Sequence, residues 1–243
     1  MIILSVGMPR AGSGWFYNLM HDLVVANGGQ DARQIRAQFH LQRILTEVNC
    51  NIGALTARRL GAVWIPSALG KTFVIKAHAG PTSWARRLIS QKQLKAAYIY
   101  RDPRDALLSA YDNGQRALQK GRPNAFSHLV DLDASIAFMQ NYVRISEAWL
   151  AMPDVLHTAY EDLVENYDHE ATRLAEFLGC PLGANNIQIV IEKYRPERAR
   201  QDQKGLHFNQ GVRGRFRQKL SREQQARLAE IFGDYLDRLH YPV

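Results

Sequence analysis

The stretch Ile2-Ile3-Leu4-Ser5-Val6-Gly7-Met8-Pro9-Arg10-Ala11-Gly12-Ser13-Gly14-Trp15 passes from a β-forming apolar run, through a glycine-rich turn, into a helical pattern. The apolar run 2–6 is far shorter than the ~20 residues of a membrane span. Pro9 and Arg10 follow too soon for a signal-peptide core. The run therefore reads as a buried strand, and the whole stretch as strand, loop and helix, the opening of a βαβ unit. Glycines let successive backbone N–H groups converge on an anion, the helix N-terminus adds a positive end, and Arg10 supplies full charge. The spacing of Gly7 and Gly12 mimics a Walker A loop, but Ser13 stands where that loop needs its lysine. A glycine-rich turn can also be only a tight turn; its position directly after a strand favours the anion-binding reading.

Working outward, short β-rich runs recur at 72–75, 97–100 and 155–157, so four strands of a mostly parallel sheet are expected. Helical patterns cover 15–25, 32–48, 82–91, 103–117, 132–150, 169–178 and 222–239. Asp102 before Pro103 is an N-cap signal, Gly179 a C-cap and Ser221 the cap of the last helix. The basic stretch 204–219 carries no period of either kind and reads as loop. No repeat or linker divides the chain, so residues 1–243 are expected to form one domain.

The 243 residues are 46% hydrophobic, which excludes a disordered chain. The net charge of +8 favours anionic partners without choosing among them. Two cysteines, Cys50 and Cys180, exclude a disulfide framework and fit a reducing compartment; a cytoplasmic protein is expected. No His/Cys/Asp/Glu cluster has metal-ligand spacing, so no metal is expected.

Two further segments carry chemistry. Lys76-Ala77-His78 sets a lysine and a histidine on one side of an extended segment at a strand's carboxyl end, where open α/β sheets bind ligands. Most histidines are structural; His78 is singled out because it should face the same crevice as the loop. Arg101 closes the third strand, and Ser109 lies on the helix after it, so both can reach one anion.

Together these segments resemble the sulfotransferases that use 3′-phosphoadenosine 5′-phosphosulfate. Pro9-Arg10-Ala11-Gly12-Ser13-Gly14-Trp15 is similar to the family's 5′-phosphosulfate loop and Lys76-Ala77-His78 to its Lys-Thr-His segment. The run from Tyr98 to Ser109 is similar to the 3′-phosphate motif, Tyr160-Glu161-Asp162 to a common turn, and Gly211-Val212-Arg213-Gly214 to a C-terminal glycine-rich segment. The resemblance implies an α/β, P-loop-like three-layer fold with a central, mostly parallel sheet flanked by helices. It also implies sulfuryl transfer from that donor, released as 3′-phosphoadenosine 5′-phosphate, to a hydroxyl or amine acceptor. His78 would be the general base, with Lys76 and Arg10 neutralising developing charge. Ala11, Gly12, Ser13 and Gly14 would hold the 5′-phosphate, Arg101 and Ser109 the 3′-phosphate. Trp15 would offer a face to adenine, its alternative being an ordinary core aromatic; Tyr160 is a second, weaker contact.

The chain departs from the family pattern at three places. Arg10 replaces the loop lysine, Asn209-Gln210 stands where an arginine-lysine pair contacts the 3′-phosphate, and Arg215 replaces an aspartate. Arg213 or Arg217 could restore the lost charge. The acceptor is a small-molecule, sugar or lipid hydroxyl, and the loops expected to select it are 54–69 and 120–131. No nucleic-acid partner is expected. The rival readings are a P-loop kinase or ATPase, opposed by the missing lysine and by the cation at the third strand end, and a non-catalytic basic binding module, opposed by charges without interleaved aromatics.

Overall fold

The computed structural model describes residues 1–201 and 213–242. Among them four strands, β1 (Ile2–Gly7), β2 (Phe73–Ala77), β3 (Leu94–Tyr100) and β4 (Val155–Ala159), form a parallel sheet in the order β2-β1-β3-β4. The helices are α1 (Ser13–Ala26), α2 (Ala32–Gln38), α3 (Ala57–Ala68), α4 (Ser83–Ser90), α5 (Pro103–Gln119) and α6 (Leu132–Leu150). They continue as α7 (Tyr160–Glu165), α8 (Tyr167–Leu178), α9 (Asn185–Lys193), α10 (Pro196–Gln201), α11 (Phe216–Lys219) and α12 (Arg222–Arg238).

Every residue of β1 is buried, as a central parallel strand covered on both faces must be. Its alternating side chains feed two cores. Ile3, with Val74 and Ile99 of its neighbours, packs against Leu19 and Leu23 of α1, Leu174 of α8 and Ile187 of α9. Leu4 and Val6, with Ile75 and Tyr98, pack against Leu60 and Val63 of α3, Leu88 of α4 and Trp149 of α6. The result is helix, sheet, helix. From β1 the chain runs first to β2 on one side and then to β3 on the other, so the strand order reverses at β1. The crevice beyond the carboxyl ends of these strands is the place where such sheets bind ligands.

Three terminal signals act as their chemistry requires. The Asp102 carboxylate accepts the Arg104 amide at 2.9 Å, Gly179 closes α8 with a left-handed φ of 77°, and Ser221 forms a capping box with Gln224.

Several expected boundaries differ. The helix expected over 32–48 stops at Gln38, where His40 takes a left-handed φ of 52°. The stretch 54–69, expected as an acceptor loop, contains α3: the Thr56 hydroxyl caps it, and Leu60, Val63 and Pro66 form its buried stripe. Gly61 and Pro66 hide that stripe from a propensity reading, but Pro66 lies near the helix end. Within 204–219, also expected as loop, residues 216–219 form α11. The short helices α7, α9 and α10 went unforeseen, and β3 begins three residues early. No described helix is long and apolar enough to cross a membrane.

Candidate active site

The turn after β1 is built around two glycines. A Cβ on Gly7 would lie 2.7 Å from Ile99 Cγ2 and 2.8 Å from Ser13 Cβ, so only glycine lets the loop leave between β3 and α1. Gly12 has a φ of 73°, and a Cβ there would lie 2.7 Å from the Tyr160 ring. The Met8 amide is tied to Ile99 O at 3.0 Å and the Ala11 amide to Met8 O at 3.2 Å. The Phe16 amide reaches Gly12 O at 3.0 Å, the first bond of the α1 ladder. Ser13 and Gly14 thus occupy the first turn of α1, where amides have no acceptor inside the helix and form an anion seat.

His78 follows β2 beside this loop. Its Nδ1 lies 2.7 Å from Gly7 O, and because a carbonyl only accepts, Nδ1 carries the proton. Neutral imidazole then presents the lone pair of Nε2. Burial, then the nearby Lys76 charge, lowers the His78 pKa to about 4 against the upward pull of the Gly7 carbonyl. The ring is a free base throughout the neutral range.

Lys76 pairs with Ser5 of β1 in register, and its side chain is buried. Burial and then the Arg10 charge lower its pKa to about 8, with no carboxylate among the causes. The guanidinium of Arg10 is pushed down to about 10, by burial first and then by Arg116 and Arg101. Arg101, also buried, donates Nη1 to Arg10 O at 3.2 Å, lies 3.7 Å from Asp105 and stacks 4.4 Å above the Tyr160 ring. Arg10 Nε donates to Ser109 Oγ at 3.2 Å. Two buried cations, Lys76 and Arg101, and the half-buried Arg10 therefore converge on one glycine loop, and Asp105 is the carboxylate in ion-pair contact with them among the described residues. Desolvation of Lys76 and Arg101 is costly, and an anion bound at this loop would offset it.

Comparison with known proteins gives this arrangement its family. A sequence model described as Sulfotransferase domain matches residues 2–240. The chain belongs to the sulfotransferase family. Mouse Sulfotransferase 1A1 is 23% identical over 193 residues, covering 78% of this chain and 63% of the relative. The chain thus spans a little over three fifths of the first relatives it matches. Among solved structures, mouse sulfotransferase SULT7A1 complexed with PAP superposes with a TM-score of 0.63 at 14% identity, over 97% of this chain and 84% of that one. Retinol dehydratase, in complex with androsterone and the inactive cofactor PAP, gives 0.60 at 18% identity, over 97% and 80% of the two chains. These likenesses carry the sulfotransferase α/β fold.

Within this sulfotransferase fold, the structure brings Arg10, Ala11, Gly12, Ser13, Gly14, Lys76, His78, Arg101, Ser109 and Tyr160 to one sheet edge. Trp15 is different. It is fully buried, donates its indole N–H to Tyr194 O at 2.9 Å and stacks on Tyr167 with centroids 6.0 Å apart. The ring is packed as a core aromatic in this structure. Tyr160 is likewise packed, between Gly12 and the Arg101 guanidinium. Gly211 and Val212, with Asn209 and Gln210, lie outside the described residues. Arg213 does not turn to the 3′-phosphate residues: its Nη1 donates to both Glu165 oxygens, at 3.2 and 3.3 Å. Arg217 points its Nη2 at Pro242 O, 3.5 Å away, and Arg215 pairs with Asp112 at 2.6 Å.

Sequence reading missed a buried network behind Arg101. Asp105 accepts the Gly214 amide at 2.6 Å and the Phe216 amide at 3.1 Å, which fastens the C-terminal segment to α5. Glu161 accepts the Asp102 amide at 3.2 Å and the Tyr241 hydroxyl at 3.0 Å, and burial raises its pKa. Arg104 pairs with Asp102 and donates to Pro242 O at 2.7 Å. The one available signal was the spacing of Arg101 and Asp105, four residues apart, which an ordinary first-turn carboxylate also satisfies.

Proposed function

We propose that the chain, acting as one sulfotransferase-like unit over residues 1–243, moves a sulfuryl group from 3′-phosphoadenosine 5′-phosphosulfate to a hydroxyl or amine acceptor by in-line attack. The observation that carries this reading is the convergence of buried Lys76 and Arg101 and half-buried Arg10 on the Gly12 loop, a cluster of cations suited to a nucleotide bearing two separate anionic groups. The donor supplies the activated sulfuryl group. Loop amides from Ala11 to Gly14 and the Ser13 hydroxyl bind its 5′ end, Lys76 neutralises charge on the transferred group, and Arg101 with Ser109 binds the 3′-phosphate. His78 Nε2 takes the acceptor's proton, its ring held at the Gly7 carbonyl. Metal is not needed in this scheme, since fixed cations and amides stabilise the developing charge.

A small-molecule, sugar or lipid hydroxyl serves as acceptor. Phe126 lies beside Arg10, and the Phe126, Phe138 and Tyr142 rings contact in sequence, which favours an acceptor with an apolar body. A cytoplasmic site of action without nucleic-acid partners fits the same reading. The kinase alternative finds no uncommitted carboxylate beyond the β3 end among the described residues: Asp102 is paired with Arg104, and Asp105 in the first turn of α5 accepts two main-chain amides.

Titration calorimetry tests the proposal. Adenosine 3′,5′-bisphosphate should bind much more tightly than ADP, and sulfuryl transfer from the donor to a phenol and sugar panel should fall by about 10²- to 10⁴-fold in His78→Ala. Preference for ADP, or magnesium-dependent ATP turnover, would replace this function with the kinase one.

A further inference from the structure

Arg10 is the residue at which the chain departs from the family's lysine, and its surroundings differ from those expected of a cation reserved for the transferred group. We propose that Arg10 is a ligand of the donor's 3′-phosphate and sets selectivity for a 3′-phosphorylated nucleotide over its 3′-hydroxyl counterpart. The inference rests on the function proposed above and deepens it.

Three observations converge. The first is direction: Arg10 is bound through both its main chain and its side chain to the pair assigned to the 3′-phosphate. Its carbonyl takes Nη1 of Arg101, and its Nε donates to Ser109 Oγ, each at 3.2 Å. The guanidinium carbon lies 5.8 Å from the Phe126 ring, which borders it on the α5 to α6 connection. Second comes backbone conformation: Arg10 holds a left-handed φ of 67°, unfavourable for a residue with a Cβ and retained where the surroundings demand it. Third is charge supply. The sequence has Asn209-Gln210 where the resemblance puts an arginine-lysine pair. The described C-terminal arginines are engaged elsewhere, Arg213 with Glu165, Arg215 with Asp112 and Arg217 toward Pro242 O. Arg101 already shares its charge with Asp105. A second cation suits a phosphate dianion, and among the described residues Arg10 is the cation hydrogen-bonded to Ser109.

The change from lysine to arginine also acquires a reason. An ammonium is a compact point charge, whereas the planar guanidinium can keep one N–H on Ser109 and turn the other edge to phosphate oxygens. Lys76 is then left as the cation for the transferred group.

Arg10→Gln and Arg10→Lys test the assignment by calorimetry with adenosine 3′,5′-bisphosphate and with 5′-AMP. A charge-assisted phosphate contact is worth roughly 10- to 100-fold in affinity, so Arg10→Gln should lose about that for the bisphosphate while 5′-AMP binding stays nearly level. Arg10→Lys should lose less, again for the bisphosphate alone; it preserves charge and length, so it decides the matter if the glutamine variant does not fold. Equal losses for both nucleotides would move Arg10 to the 5′ end and overturn the inference, as would unchanged selectivity. Wild-type protein that does not distinguish the two nucleotides would overturn the proposed function, and this inference with it.

Discussion

The two ends of the crevice are built by different means. At the end formed by β1, β2 and the glycine loop, position is set by main chain: strand register puts Lys76 beside Ser5, and the Gly7 carbonyl orients His78. At the end formed by α5, α7 and residues 213–216, position is set by buried side chains that bridge distant segments, Asp105 to Gly214 and Glu161 to Tyr241. The first end depends on backbone geometry that few substitutions can alter. The second depends on single carboxylates whose loss leaves buried donors stranded.

The strongest way to separate the two is His78→Ala. Loss of the general base should cut turnover by about 10²- to 10⁴-fold with nucleotide affinity unchanged in calorimetry. A parallel loss of affinity would mean that the imidazole supports the loop as well. At the other end, Asp105→Ala removes the acceptor of two amides and the partner of Arg101. It should destabilise the fold by about 3–5 kcal/mol in urea denaturation, the range for breaking a buried pair. A change under about 1 kcal/mol, the range of an exposed pair, would deny the network its structural role.

A third test reads the main-chain end through pH. Protonating His78 removes the base and deprotonating Lys76 removes a cation, so kcat/KM for the donor should fall below a pH of about 4 and above about 8. In Lys76→Arg the alkaline limb should disappear, because a guanidinium keeps its charge there. The smallest effect belongs to Arg213→Ala. Arg213 and Glu165 are both about half exposed, and the variant should lose less than about 1 kcal/mol of stability and leave nucleotide binding level. A large drop in bisphosphate affinity would return Arg213 to the donor site.

This contrast also explains what could be read from the sequence. The glycine loop, Lys76, His78, Arg101 and Ser109 were legible because each follows a strand or opens a helix, and topology alone carries them to one edge. The packing of Trp15 was not: the same strand, loop and helix pattern suits a ligand contact or a core ring, and its contacts with Tyr167 and Tyr194 come from far along the chain. Helix α3 escaped because Gly61 and Pro66 mask a stripe that tertiary packing completes. The Asp105 and Glu161 contacts escaped because they join residues 109 and 80 positions apart, a separation at which local pattern is silent.

The hydrogen bond from His78 to Gly7 ties proton transfer to strand alignment. Gly7 ends β1 and His78 follows β2, so a slip of one strand past the other by one residue would cut the imidazole's tether and turn Lys76 to the opposite face in a single event. Amide protection along Ile2–Gly7 should therefore report whether the molecule is competent for chemistry, before any acceptor has been found.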